Sequence, residues 1–405
     1  MTEDRNSTTM MTVVLCVLAA VCEGVDLQAA GIVAGGLTNE FHPTPDQLGT
    51  FFSASTFGLF LGALAGGRLS DRIGRKATLT ASVIVFGICS LANAVAWDIN
   101  SLVVTRFATG LGLGGALPNV LALVAESSAP NRRNFNIAAA YSGMPAGGAL
   151  ISLVSMAIPA SRWRAIFVIG GVLPLLAAPL MLKYLRGSKV AQGASETARP
   201  ATAPTTLRAV FSLPLIVQTA VLWAAFFFGL FTLYLLLNWL PTLMLGAGVP
   251  RSTVAVIQVG FNAGGVVTAL LIGRLLESRW RRAAIAVTFL SLPFLIRGLA
   301  ALPSQQSALI LVVVALGSAV LAAQAYLYAS APLLYPKAVR GLGVGVAVAI
   351  GRIGSFVGPK YGGIWKGMGL DSSGVLLKLL PIAIAGSVLA IVLSWLPPVR
   401  NDLEE

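Results

Sequence analysis

Predominantly apolar runs of twenty or more residues, separated by short polar joints, recur along the chain at roughly 11–36, 47–67, 77–97, 101–125, 135–159 and 165–185. They recur again at 210–240, 253–273, 283–302, 307–331, 341–364 and 375–397. A helix rises about 1.5 Å per residue, so each run is long enough to cross the ~30 Å hydrocarbon core of a bilayer. The pattern predicts an all-α polytopic membrane protein with twelve transmembrane helices. Its longest polar stretch, Arg186 to Arg208, is built of Gly, Ser, Ala, Thr and Pro, a linker composition. The expected division is an N-terminal six-helix bundle at 1–185, a cytoplasmic linker at 186–209 and a C-terminal six-helix bundle at 210–405. The two halves also echo each other. The segment Gly67-Arg-Leu-Ser-Asp71-Arg-Ile-Gly74-Arg-Lys76 returns 206 residues later as Gly273-Arg-Leu-Leu-Glu277-Ser-Arg-Trp280-Arg-Arg282. Matching segments after the second span of each half imply two pseudo-symmetric bundles, a plan common among secondary transporters.

Composition narrows the class. Of 405 residues, 56% are apolar and only 11% charged, against roughly 25% charged in ordinary soluble proteins. So few charges cannot coat a soluble particle of this size, and a lipid bilayer is the implied partner. The net charge of +13 does not call for nucleic acid, because in so apolar a chain basic residues mark cytoplasmic loops. With the N-terminus inside, 19 of the 28 basic residues fall on inner loops and tails. Arg162, Arg164, Arg251, Lys360 and Lys366 fall outside, and Arg106, Arg297, Arg352 and Lys378 lie within spans. That asymmetry places both termini in the cytoplasm, in an inner-membrane protein. Glu3, Asp4 and a single Arg5 precede the first apolar run; this is not the basic start of a signal peptide, so the run reads as a retained span.

Cys16, Cys22 and Cys89 sit in apolar runs without metal-ligand spacing, and His42 is the lone histidine. No metal, cofactor or catalytic cluster is expected, which argues against a membrane-embedded enzyme. With tails of about ten residues, a sensor with a sizeable soluble output domain is not expected. Nothing in the pattern demands an obligate protein partner.

The segment from Gly67 to Lys76 is the sharpest signal. It reads as an inner loop in which Gly67 lets two backbones approach and Asp71 meets a helix dipole or an Arg of a neighbouring helix, while Arg72, Arg75 and Lys76 hold the segment on the cytoplasmic side. In the fourth span, Arg106, Gly110 and Gly114 share one helical face, and glycines so spaced permit close helix crossing. Together, Gly67-x-x-x-Asp71-Arg-x-Gly74-Arg-Lys76 and Arg106-x-x-x-Gly110-x-Gly112-x-Gly114 resemble the signature pair of the major facilitator superfamily. Glu23-Gly24-Val25-Asp26 is similar to the Asp-Gly-x-Asp motif of its aromatic acid:proton symporter family. The runs Gly112 to Asn119 and Gly343 to Arg352 extend the likeness over nearly the whole chain. Two departures stand out: Glu23 replaces an Asp, and Trp280 replaces the glycine equivalent to Gly74. The resemblance implies alternating-access import of an aromatic carboxylate, hydroxyphenylpropionate-like, together with protons. The alternative within transport is proton-driven efflux of a drug or metabolite, whose fifth-span Gly-Pro pattern Gly143-Met-Pro-Ala-Gly147 matches only loosely.

Charges inside spans cost roughly 2.5–3.5 kcal/mol each on insertion scales, so each needs a reason. Glu23 and Asp26, three residues apart, share a face of the first helix. Two such carboxylates in a low dielectric resist ionising together, which suits proton coupling. Arg352 lies midway along the eleventh span and cannot snorkel out; its planar fork can take a carboxylate in bidentate fashion. Arg106, Asn119, Tyr141 and Asn238 complete the expected substrate-binding set, with Phe226 to Phe228, Tyr234, Tyr326 and Tyr328 as further aromatic candidates. Arg297 and Lys378 lie near helix ends and are expected to snorkel.

Overall fold

A computed structural model describes residues 2–129, 132–185, 215–301, 305–336 and 339–396. The expected linker 186–209 lies outside the described residues. The first half consists of α1 (Thr2–Phe41), α2 (Pro45–Ile73), α3 (Arg75–Ala94), α4 (Ile99–Gly114), α5 (Ala116–Ser127), α6 (Arg133–Met156) and α7 (Arg164–Tyr184). The second half consists of α8 (Ile216–Gly246), α9 (Arg251–Glu277), α10 (Arg281–Ala301), α11 (Gln306–Ser330), α12 (Arg340–Gly367) and α13 (Ser372–Trp395). Helices α4 and α5 form one span broken at Gly115, so twelve helical spans among the described residues are long and apolar enough to cross a membrane. No strand occurs among them.

The halves are built alike. In the first, α1 packs on α6, α2 on α4 and α3 on α7; in the second, α8 packs on α12, α9 on α11 and α10 on α13. The lobes meet where α2 lies against α12, α6 against α9 and α1 against α8. The expected pair of pseudo-symmetric six-helix bundles is therefore the architecture observed.

Local chemistry sets the ends. Thr44 caps α2 with a reciprocal Gln47 bond and Pro45 in the first turn, a capping box of the usual kind. Asp98 caps α4 through Ser101, whose hydroxyl and backbone N–H hold the carboxyl below its ordinary range. Asp371 accepts a 2.7 Å bond from the Gly374 N–H at the start of α13.

The 67–76 segment is mostly helix rather than loop. Helix α2 runs through it to Ile73, and Gly74 alone makes the joint to α3. Gly74 takes φ +87°, a backbone region that side-chain-bearing residues rarely adopt. At the equivalent place in the second half, α9 ends at Glu277 and residues 278–280 form a wider joint, consistent with Trp280 in place of glycine. The expectation that Gly67 mediates a close backbone approach is corrected: a Cβ there would meet nothing within 4 Å. The close crossing lies instead at Gly110 and Gly114, where a Cβ would run into the α2 backbone at Ser55 and Leu59. Gly114→Val is expected to destabilise the protein by about 1–3 kcal/mol through overpacking, read as a lower Tm of the detergent-solubilised chain. Gly67→Val should leave that Tm unchanged.

Candidate functional site

Between the lobes lies a cavity of about 560 Å³. Its walls are mainly leucine, alanine and proline. Glu23, Gln28 and Tyr141 line it from the first lobe; Tyr234, Asn262, Tyr328 and Arg352 line it from the second. The packing explains the placement. Gly24 sits on the backbone of Met144, so α1 and α6 cross closely and bring Glu23 and Tyr141 to the same wall. Along the α8–α12 contact, Arg352 Nη1 donates to the Tyr234 hydroxyl at 2.9 Å. Phe226 backs Tyr328 edge-on, ring centroids 5.1 Å apart. Glu23 is 1% exposed, and its Oε2 has no hydrogen-bond partner among the described residues. The cavity thus holds one carboxylate and one guanidinium, on opposite lobes, among apolar walls and three tyrosines.

Several expected site residues lie elsewhere. Asp26 does not line the cavity; it faces the interior of the first lobe, where its Oδ2 accepts a 2.8 Å bond from Arg106 Nη1. The pair is sealed, at 0% and 1% side-chain exposure, and the Phe51 and Phe167 rings lie 5.9 and 5.7 Å from the guanidinium carbon. Glu23 and Asp26 therefore straddle an edge of α1, one turned to the cavity and the other to Arg106. Asn119 accepts a 2.7 Å bond from Ser70 and donates to the Gly115 carbonyl, tying the helix break to the end of α2. Asn238 donates to the Tyr234 carbonyl one turn earlier. Neither asparagine lines the cavity. Tyr326 is buried against Phe289 instead. Arg297 and Lys378 are exposed, as snorkelling requires.

The cavity is bounded differently at its two ends. Toward the 67–76 segment it reaches Ala63, Leu117, Leu121 and Ala329. There Arg75 pairs with Glu126, Lys76 donates to the Leu182 carbonyl at 2.8 Å, and Asp71 and Arg72 are exposed. At the opposite, far end the lobes are fastened together. Lys360 pairs with Asp46 at 2.7 Å, Ser53 donates to the Phe356 carbonyl, and the Phe52 and Trp239 rings meet edge-on at 5.1 Å. Closest to the cavity is a bridge of buried amides that sequence reasoning missed. Gln28 Nε2 donates to Asn262 Oδ1, and Gln258 Nε2 donates to Gln28 Oε1, both at 3.0 Å. Uncharged amides in a span are weaker signals than ionised groups, and only the fold shows that these three meet across the lobes.

Two six-helix lobes around a central cavity fastened at its far end, with a carboxyl and a guanidinium in its walls, define a helical membrane carrier. Residues 16–359 match the Major Facilitator Superfamily, and the chain belongs to that superfamily. It is 38% identical to the 3-(3-hydroxy-phenyl)propionate transporter of Escherichia coli (strain K12), over 96% of this chain and 95% of that protein. It is 33% identical to the 4-hydroxybenzoate transporter PcaK of Pseudomonas putida, over 92% and 90% of the respective chains. A solved D-xylose-proton symporter superposes with a TM-score of 0.78 at 16% identity, over 96% of this chain and 98% of that one; this likeness is one of fold. The family resemblance read from the motif pair and the first-span carboxylates holds, and the protein is a multi-pass membrane transporter, not an enzyme.

Proposed function

We propose that the protein imports an aromatic carboxylate of the hydroxyphenylpropionate class with protons, by alternating access, across a bacterial inner membrane with both termini cytoplasmic. The observation that carries this reading is the pairing of Glu23 and Arg352 on opposite walls of one largely apolar cavity. Arg352, steadied by Tyr234, receives the substrate carboxylate in bidentate fashion. The tyrosines and leucines take the ring, and a ring hydroxyl bonds to Gln28 or Asn262. Glu23 carries the proton: protonated, it leaves the substrate anion and Arg352 as a balanced pair. The lobes then close around no odd charge, which would be costly in a dry gap. Asp26 acts as a positioning residue through Arg106, and the segment Gly67, Asp71, Arg72, Gly74 and Arg75 gates the cytoplasmic end. The two relatives quoted above, both transporters of hydroxylated aromatic acids by name, support the substrate class.

Labelled 3-(3-hydroxyphenyl)propionate in proteoliposomes tests this reading. An inward proton gradient should drive accumulation; depletion of preloaded substrate would instead support efflux. Glu23→Gln, permanently neutral, should abolish gradient-driven accumulation yet retain substrate exchange. Accumulation that survives in this variant at full extent removes Glu23 from the proton path.

A further inference from the structure

A second cavity, of about 730 Å³, opens between the same lobes at the far end of the molecule. Ile32, Met156 and Leu245 give it apolar walls, while Arg251 and Lys366 line it with positive charge. Among the described residues no carboxylate lines it. The acids at this end are engaged elsewhere: Glu40 with Arg164, Asp46 with Lys360, and Asp98 and Asp371 as helix caps. Arg251 makes one bond, to the Ile158 carbonyl at 2.8 Å, and neither it nor Lys366 has an acidic partner among the described residues.

At the inner end of this cavity stands Gln258. It is 2% exposed, its amide nitrogen is committed to Gln28, and its Oε1 is buried without a partner among the described residues. Gln258 lines this cavity, whereas Gln28 and Asn262 line the central one. The amide bridge is therefore the partition between the two. Arg251 and Gln258 are seven residues apart on α9, about 10 Å along the axis. That matches the span of a molecule with a carboxylate at one end and a ring hydroxyl at the other.

We propose that the far-end cavity is a holding site for a hydroxylated aromatic carboxylate, distinct from the central site. Arg251 and Lys366 hold the carboxylate, Gln258 Oε1 accepts from the ring hydroxyl, and the amide bridge is the door that must part for passage inward. The inference rests on the proposed function and adds to it a stopping point on one side only. Two basic groups in a low-dielectric cleft also raise the local concentration of anions, an effect that salt screens.

The test compares uptake of labelled 3-(3-hydroxyphenyl)propionate in intact cells with uptake in inside-out vesicles, for the wild type and for Arg251→Gln/Lys366→Gln. In cells, the double variant should raise KM about fivefold at low ionic strength and lose most of the salt dependence of KM. In inside-out vesicles, where substrate meets the opposite end first, KM should not move. Arg251→Lys/Lys366→Arg, which keeps both charges, should restore the wild-type value in cells. Equal shifts from both sides, or no shift in cells, would overturn the holding site while leaving the proposed function intact. A wild type that moves no hydroxylated aromatic acid from either side would overturn the proposed function, and the holding site with it.

Discussion

Arg106→Met is expected to destabilise the protein by about 3–5 kcal/mol, because it strands an ionised Asp26 where water cannot reach it. The two side chains share one charge-assisted bond of 2.8 Å, with the Asp26 carbonyl a further 3.5 Å acceptor for the same Nη1, while Asp26 Oδ1 and Arg106 Nε have no partner among the described residues. A pair so sparsely bonded recovers little of its own desolvation, so its worth lies in mutual neutralisation. Replacing both members with apolar residues of similar size, as Asp26→Leu/Arg106→Met, should therefore regain most of the loss. Thermal unfolding of the detergent-solubilised protein reads both effects; a double variant no more stable than either single variant would show that the pair is not a closed unit. The double variant also separates two roles that a single change at Asp26 confounds. If it folds and still accumulates substrate under a proton gradient, Asp26 is structural; if it folds and loses only coupling, Asp26 belongs to the proton path with Glu23.

Arg352→Gln is expected to lower kcat/KM for aromatic-acid uptake about 100-fold, or roughly 3 kcal/mol, in the range for removing one partner of a buried hydrogen-bonded charge pair. Arg352→Lys keeps the charge but not the planar fork and should recover only part of the loss. Because Arg352 stands on the second lobe, bonded to Tyr234 and not to the Asp26–Arg106 pair, its loss should leave Tm largely unchanged. A fall in Tm matching the fall in transport would mark Arg352 as a fastening between helices rather than a substrate contact. Uptake of labelled 3-(3-hydroxyphenyl)propionate, with Tm measured on the same preparations, decides between them.

The spans were legible in the sequence because the bilayer imposes length and apolarity together, and ten of the twelve predicted runs end within about five residues of the helices observed. The misplacements have local causes. The seventh span was expected to stop at Leu240, before Pro241, but α8 continues through that proline to Gly246. Neighbouring helices satisfy the backbone group that proline frees within a membrane bundle. The second span was ended at Gly67, whereas α2 runs on to Ile73, because polar residues at a helix end read as loop when hydropathy alone sets the limit. Within the site, Glu23, Tyr141 and Arg352 were found by asking which polar groups have no business in lipid. That question cannot tell a group facing a cavity from one facing a partner. It therefore returned Arg106 and Asp26 as well, whose answer is each other. Gln28, Gln258 and Asn262 escaped for the opposite reason: neutral amides draw little notice one at a time, and their meeting depends on the register of α1 against α9, which no local pattern encodes.

The two ionisable groups of opposite kind in the central cavity stand on different lobes: Glu23 belongs to the first and Arg352 to the second. Under the proposed coupling, an unladen protein that has released its proton would swing back with its own anion standing in for the missing cargo. A partly laden one, holding a proton without cargo, faces the return with an unmatched cation. On that proposal slippage would be discouraged without any dedicated lock, and the ratio of leak to productive flux would follow from where along two helices a single carboxyl and a single guanidinium were placed.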